Sequence, residues 1–333
     1  MEKSEKKALI MMATYNGEET ICEQLDSIQS QDFQNWELYI SDDNSSDKTR
    51  EIIAEYQQRD SRIKKILINK KFHGAYANYF NVLEYIKNDI SNDYFDYYFY
   101  CDQDDRWVKN KMSKEIQVLE NYGENEAILC YSDLRFMTNS GVIKTEKMSD
   151  KTDINLKNPY NLFFSSRYVW GTTMAHNKKL WDMLYINKDA MNNISHDTYI
   201  AQYAVCFGKI IYIDEPLVLY RRHEKNVSGI PGNYGLVEIM KKLTVKLPGV
   251  IKNHSMVYLE DLYFINNAPY ITTFMHELKE CILKGGIVAR NFLKKYDIKT
   301  TSSVWGQLSL KIILYTGIYK TNKLFREIKD EES

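Results

Sequence analysis

The first 130 residues alternate between short apolar runs and longer stretches whose apolar positions recur at three- and four-residue intervals. The short runs at 8–13, 36–41, 63–68, 97–101 and 128–131 predict β-strands. Between them, Ile21/Leu25/Ile28, Ile52/Tyr56, Tyr79/Leu83/Ile86 and Met112/Ile116/Leu119 predict helices, each with one apolar stripe to lay on a sheet. This order is the pattern of βαβ units, so the expected class is α/β with a mostly parallel sheet flanked by helices. Ligands of such sheets bind at the carboxyl ends of the strands. Thr14-Tyr15-Asn16-Gly17, the polar run from Asp42 to Asp47, the run from Lys70 to Gly74, and Asp102-Gln103-Asp104-Asp105 each follow a predicted strand. The chemically suggestive residues should therefore collect on one edge of the sheet.

Beyond Leu134 the alternation weakens. Asn139-Ser140-Gly141 reads as a hairpin turn, and a lysine- and serine-rich stretch to Asn158 predicts a loop. Apolar order returns over 162–169, followed by Trp170-Gly171-Thr172-Thr173, helices near 178–184 and 197–206, and a strand pair at 210–213 and 217–220 broken by Asp214-Glu215-Pro216. The chain after Gly235 reads as helical, with Lys241, Lys242 and Lys246 on an amphipathic segment.

Composition removes several classes of protein. With 333 residues, 44% hydrophobic and 27% charged, the chain can build one large α/β domain and an appendage. A formal net charge of −1 lacks the basic excess of a nucleic-acid binder, so nucleic acid is not an expected partner. The five cysteines are scattered without CxxC spacing, which argues against a disulfide framework or structural zinc and fits a reducing cytosol. The apolar stretch at 8–13 is too short for the core of a signal peptide. No run reaches the roughly 18 apolar residues needed to cross a bilayer, since 308–319 is interrupted by Lys311 and Thr316.

The candidate chemistry is acidic. Three carboxylates within Asp102-Gln103-Asp104-Asp105 repel one another and call for full solvation or for a divalent cation such as Mg2+ or Mn2+. An acidic turn leading into a helix is the alternative, and the tetrad alone leaves both open. Asp42, on the same expected edge, suits hydrogen bonds to a nucleobase or ribose, whereas Ser45, Ser46 and Asp47 suit a helix N-cap. The loop Lys70-Lys71-Phe72-His73-Gly74 leads into a helix and can face phosphate or solvent. Asp197, in the first turn of a helix, is placed to take a proton from a hydroxyl nucleophile or to complement the helix dipole. Arg221, Arg222 and His223 end a strand and offer either a diphosphate and cation site or a solvated basic edge.

Taken together, Ala13-Thr14-Tyr15-Asn16-Gly17, Ser41-Asp42-Asp43-Asn44-Ser45-Ser46-Asp47, Asp102-Gln103-Asp104-Asp105 and His196-Asp197, in that order, resemble the family 2 inverting glycosyltransferases of the GT-A fold. Tyr100 to Trp107, with Tyr220-Arg221-Arg222-His223 and the residues to Gly229, look most like the rhamnosyltransferase branch that builds bacterial surface polysaccharides. The resemblance implies a donor that is a nucleotide diphosphate sugar, dTDP- or UDP-linked, with Mn2+ or Mg2+, and an acceptor that is a saccharide or lipid-linked saccharide. Thr14, Tyr15 and Asp42 would cradle the nucleoside, and Gly74 and Asn78 would border the donor. Asp104 would ligate the metal and Asp102 would lie nearer ribose or sugar. Asp197 would be the catalytic base, and His223 with Arg221 or Arg222 would close over the diphosphate and cation. The implied division is a GT-A domain over 1–230, with a nucleotide-sugar half at 1–131 and an acceptor half at 132–230, and a helical region over 231–333. The chain lacks the QxxRW motif and membrane spans of processive synthases, which points to a non-processive enzyme. A cytoplasmic protein is the matching expectation, with residues 235–333 lying on the inner leaflet, standing as a solvated helical subdomain or making a homodimer contact. A sugar-nucleotide nucleotidyltransferase is the rival enzyme, though 13–17 lacks its glycine-rich basic loop, and a non-catalytic carbohydrate- or nucleotide-binding module is the rival outside catalysis.

Overall fold

The computed structural model describes residues 6–152, 157–164, 169–189, 194–222, 247–299, 304–322 and 325. Two compact units emerge: Met1–Asp150 with Val169–Gly229, and Lys151–Tyr168 with Ile230–Ser333.

In the first unit the strands are β1 (Ala8–Thr14), β2 (Trp36–Asp42), β3 (Ile63–Ile68), β4 (Tyr97–Asp102), β5 (Arg106–Trp107), β6 (Ala127–Met137), β7 (Ile143–Lys147), β8 (Met174–Asn177) and β9 (Gly208–Arg221). Among the described residues these nine form one sheet in the order β3-β2-β1-β4-β8-β6-β9-β5, with β7 paired to β6. The β3-β2-β1-β4 half is parallel, β8 runs antiparallel to both β4 and β6, and β6 and β9 are parallel. Helices α1 (Ile21–Gln29), α2 (Thr49–Arg59), α3 (Ala75–Asp89), α4 (Lys111–Glu120), α5 (Lys178–Met183) and α6 (His196–Phe207) flank it. β1 is a nearly continuous apolar run and β2 is buried along its whole length, because both faces of central parallel strands are covered.

The first four strands lie where the hydrophobic runs place them, but three carry one polar residue further. Thr14 pairs in register with Asp42, and Ala13 with Asp102, so these side chains leave the sheet from fixed positions at its carboxyl edge. Two expectations fail. The runs 210–213 and 217–220 are not a strand pair but one strand, β9, because the register slips around exposed Asp214 and Glu215 while both halves stay on β6. The expected loop before Asn158 contains β7, which closes an antiparallel hairpin with β6 through Asn139-Ser140-Gly141, where Gly141 takes φ +80°. In α2 the buried isoleucine is Ile53, with Ile52 turned part-way out.

The second unit groups the helices Leu247–Asn267, Thr273–Lys284, Gly286–Lys295 and Val304–Thr316 with a short 3-10 segment, Pro159–Phe164. Tyr160 stacks on Phe274 at 4.1 Å, and Phe163 and Phe164 meet Phe264, Tyr258 and Phe292, which explains why 159–164 belongs to this aromatic core. No helix among the described residues is long and apolar enough to cross a membrane. The lysine-bearing segment at 236–247 lies almost wholly outside the described residues.

Candidate active site

The carboxyl ends of β1 and β2 are joined through Asp42. Its Oδ2 accepts the Thr14 hydroxyl at 2.8 Å and the Ser45 hydroxyl at 2.6 Å, and its Oδ1 accepts the Ser45 N–H at 2.7 Å. Asp42 is fully buried, with Arg50 Nε 3.8 Å away. It therefore shapes the loop instead of facing outward. Asp43 holds the next turn: it accepts the Asn69 amide and the Gly74 N–H, both at 2.8 Å. Gly74 has φ +124°, a conformation that suits glycine, and its N–H is already taken, so the expected backbone contact to a donor phosphate is not on offer there. Asn78 is likewise turned inward. Its amide donates to Thr14 O at 3.0 Å and accepts the Ser41 hydroxyl at 2.6 Å, tying α3 to the ends of β1 and β2.

Tyr15 is 55% exposed beside this edge. Its N–H donates to Gln103 Oε1 and its C=O accepts Gln103 Nε2, each at 2.8 Å, so one side-chain amide extends the β1–β4 ladder past its end. The close approach needs Gly17, where a Cβ would lie 2.3 Å from Gln103 Oε1. Gln103 thereby fixes the turn that presents Asp102 and Asp104, both half-buried.

The tetrad is anchored from behind by Arg221, which is 1% exposed. Its N–H donates to Asp105 Oδ1 at 3.0 Å, its Nε to Asp104 O at 2.9 Å, and its Nη1 to Asn139 O at 2.6 Å, while Nη2 pairs with Glu23 at 2.8 Å. Of the two arginines expected to close over a diphosphate, Arg221 is instead buried and turned toward Asp104 O, Asn139 O and Glu23, which leaves that part to Arg222. Arg222 is exposed on the following residue, and His223 lies outside the described residues.

On the other side of the acidic cluster stands the first turn of α6. Asp197 accepts the Ser195 hydroxyl and the Thr198 N–H (2.7 Å) through Oδ1, and the Gly171 N–H (3.1 Å) through Oδ2. His196 stacks on Tyr79 with ring centroids 3.7 Å apart, and the Tyr79 hydroxyl lies 2.9 Å from Asp102 Oδ1 and 2.6 Å from Cys101 O. Burial and then the charge of Asp104, with a further push from Asp197, raise Asp102 to about 7 against the opposing pull of the Tyr79 hydroxyl. Burial followed by Asp104 and Asp102 raises Asp105 well above the usual carboxylate range. Asp104 and Asp197 thus both bear on Asp102, and the three carboxylates share one edge of the sheet. A positive charge there relieves the raised Asp102.

Of the residues picked from sequence, Thr14, Tyr15, Asp102, Asp104 and Asp197 gather at this edge, and Asp42, Asn78 and Arg221 are its buried supports. Sequence reasoning missed Gln103, Tyr79, His196 and Gly171 as parts of the site. Tyr79 was hidden by its place in a helical apolar stripe, and Gln103 and Gly171 by lying among polar and small residues with no pattern to separate them from spacers.

A mostly parallel sheet with acidic side chains at its carboxyl edge marks where a ligand binds, and the sequence pattern of glycosyl transferase family 2 matches residues 9–182. The chain belongs to that family and is a glycosyltransferase with the α/β fold expected of it. It is 30% identical over 292 residues to the dTDP-rhamnosyl transferase RfbG of Shigella flexneri, covering 85% of this chain and 93% of that one. It is 31% identical over 134 residues to the UDP-Glc:alpha-D-GlcNAc-diphosphoundecaprenol beta-1,3-glucosyltransferase WfgD of Escherichia coli, covering 40% of this chain and 48% of that protein. Among solved structures, S. aureus TarS 1-349 in complex with UDP-GlcNAc has a TM-score of 0.52 at 16% identity, covering 95% of this chain and 91% of that one. That last likeness is one of fold.

Proposed function

We propose that the protein is an inverting, non-processive rhamnosyltransferase that moves rhamnose from a dTDP-linked donor to a hydroxyl of a saccharide or lipid-linked saccharide. The similarity to RfbG over nearly the whole of both chains favours this donor over a UDP-sugar. The observation that carries the chemistry is that Asp104 and Asp197 both lie near enough to raise Asp102, with Tyr79 on Asp102 and Gly171 on Asp197 joined through His196, an arrangement that suits a base beside an acidic pair that attracts a cation.

Tyr15 offers an exposed ring for the nucleoside, on a backbone pinned by Gln103. Among the described residues no three His, Cys, Asp or Glu side chains form a ready metal cage. A Mn2+ or Mg2+ ion that enters with a nucleotide diphosphate needs only one or two carboxylates, the remaining positions being phosphate and water. Asp104, with Asp102 beside it, fits that requirement. The bound cation would supply neutralisation of the charge that develops on the leaving diphosphate. Asp197 Oδ2 accepts the acceptor hydroxyl's proton as that oxygen attacks the anomeric carbon, and the single displacement inverts its configuration. Exposed Arg222 is the basic side chain of the described strand end that remains open to solvent and to a diphosphate.

Calorimetry with dTDP, UDP and GDP, each with and without Mn2+, tests this reading. The expected result is cation-dependent binding of dTDP that Asp104→Ala weakens by about 100-fold, and binding of no nucleotide, or binding indifferent to both cation and Asp104, sinks it. A second consequence concerns pH. Below about 7 a proton occupies Asp102 and competes with the cation, so affinity for dTDP with Mn2+ should fall by up to about tenfold per unit as pH drops from 7 to 5 and be flat above about 7.5. Affinity that is level across that range contradicts the assignment.

A further inference from the structure

The imidazole of His196 is 6% exposed, and among the described residues neither of its nitrogens has a hydrogen-bond partner. A desolvated ring nitrogen without a partner destabilises a fold, and a phenyl or leucyl side chain fills such a space without that penalty. The surroundings show what the ring does instead. One face lies on Tyr79 at 3.7 Å and 21°, and Tyr79 holds Asp102 through its hydroxyl. One edge lies on Gly171, where a Cβ would sit 2.4 Å from His196 Nε2, and Gly171 holds Asp197 through its N–H. The ring is thus a spacer with the donor-side carboxylate at one end and the base at the other.

We propose that His196 is a positioning residue that sets the separation of Asp102 and Asp197, through Tyr79 on one side and Gly171 on the other. The imidazole already closes against Gly171 and leaves no room there for a methyl group. The inference rests on Asp197 as the proton acceptor and deepens that reading: the reach of the base toward the anomeric carbon is fixed by an aromatic wedge rather than by the first turn of α6 alone. Displacement of a reacting group by an ångström costs about 100-fold in rate without altering ligand affinity.

The test uses the full chain with dTDP-rhamnose and Mn2+, water serving as acceptor, and reads release of dTDP together with calorimetric affinity for dTDP with Mn2+. His196→Ala should lower kcat by about 100-fold with the dTDP dissociation constant within about threefold. Gly171→Ala, whose methyl group pushes the imidazole, should do the same, and adding it to His196→Ala should cost less than about threefold more, because the clash is gone. Full additivity of the two losses overturns the proposal, as does a loss shared equally by affinity and turnover. If Asp197→Asn retains turnover, the base assignment fails; if Asp197→Asn is inactive while His196→Ala turns over normally, only the positioning role fails. A crystal structure of His196→Ala supplies a readout independent of the donor. Tyr79 still on Asp102 and Gly171 still on Asp197 at unchanged separation would overturn the role directly.

Discussion

Asp197→Asn lowers turnover by about 1,000-fold while dTDP affinity in the presence of Mn2+ stays within about threefold, because a general base contributes to the transition state and little to donor binding. The substitution is nearly isosteric. The amide side chain keeps a carbonyl for the Ser195 hydroxyl and the Thr198 N–H, and loses one acceptor toward the Gly171 N–H. That single lost hydrogen bond costs about 1 kcal/mol, too little to unfold the unit. Steady-state kinetics beside a thermal melt separate the two effects. Retained turnover in a folded Asp197→Asn protein removes Asp197 from the chemistry.

The second large effect is on stability and concerns Arg221. Its guanidinium joins the end of β9 to Asp104 O, to Asn139 O at the β6–β7 turn and to Glu23 on α1, so Arg221→Ala strips donors from two backbone carbonyls and opens a space behind the acidic tetrad. Charged hydrogen bonds to two backbone carbonyls, together with the lost packing, amount to about 3–5 kcal/mol. Glu23 is 41% exposed, and its ion pair adds little to that sum. Denaturant unfolding should show a lower midpoint with an unchanged slope. A stable Arg221→Ala protein with lost diphosphate affinity restores the sequence expectation that Arg221 faces the ligand.

Much of the site was legible before any coordinates because parallel sheets make one rule local. A polar residue that follows a buried strand lies at the carboxyl edge, so Thr14, Asp102 and Asp104 were placed by hydrophobic periodicity alone, and the position of Asp197 followed from the start of α6. The direction of each side chain was not legible. Asp42 and Asp43 are neighbours of identical chemistry, yet the first is enclosed by Thr14 and Ser45 and the second braces Gly74. The same holds for Arg221 and Arg222, of which alternation along the strand buries one and exposes the other. Gln103 escaped notice because its function is a pair of hydrogen bonds to Tyr15, 88 residues away in the chain.

The sequence by itself determined the class of fold, the strand ends where chemistry collects, and through four ordered motifs the family to which the chain belongs. Those features depend on periodicity and on residue type, which a linear chain carries in full. Only the tertiary structure decided which acids face outward at the edge, which are hydrogen-bonded out of reach, and that an imidazole without a hydrogen-bond partner among the described residues stands between Tyr79 and Gly171. Burial, and the charges that bear on Asp102, are properties of neighbours distant in sequence, and they exist once β4, α3 and α6 have packed together.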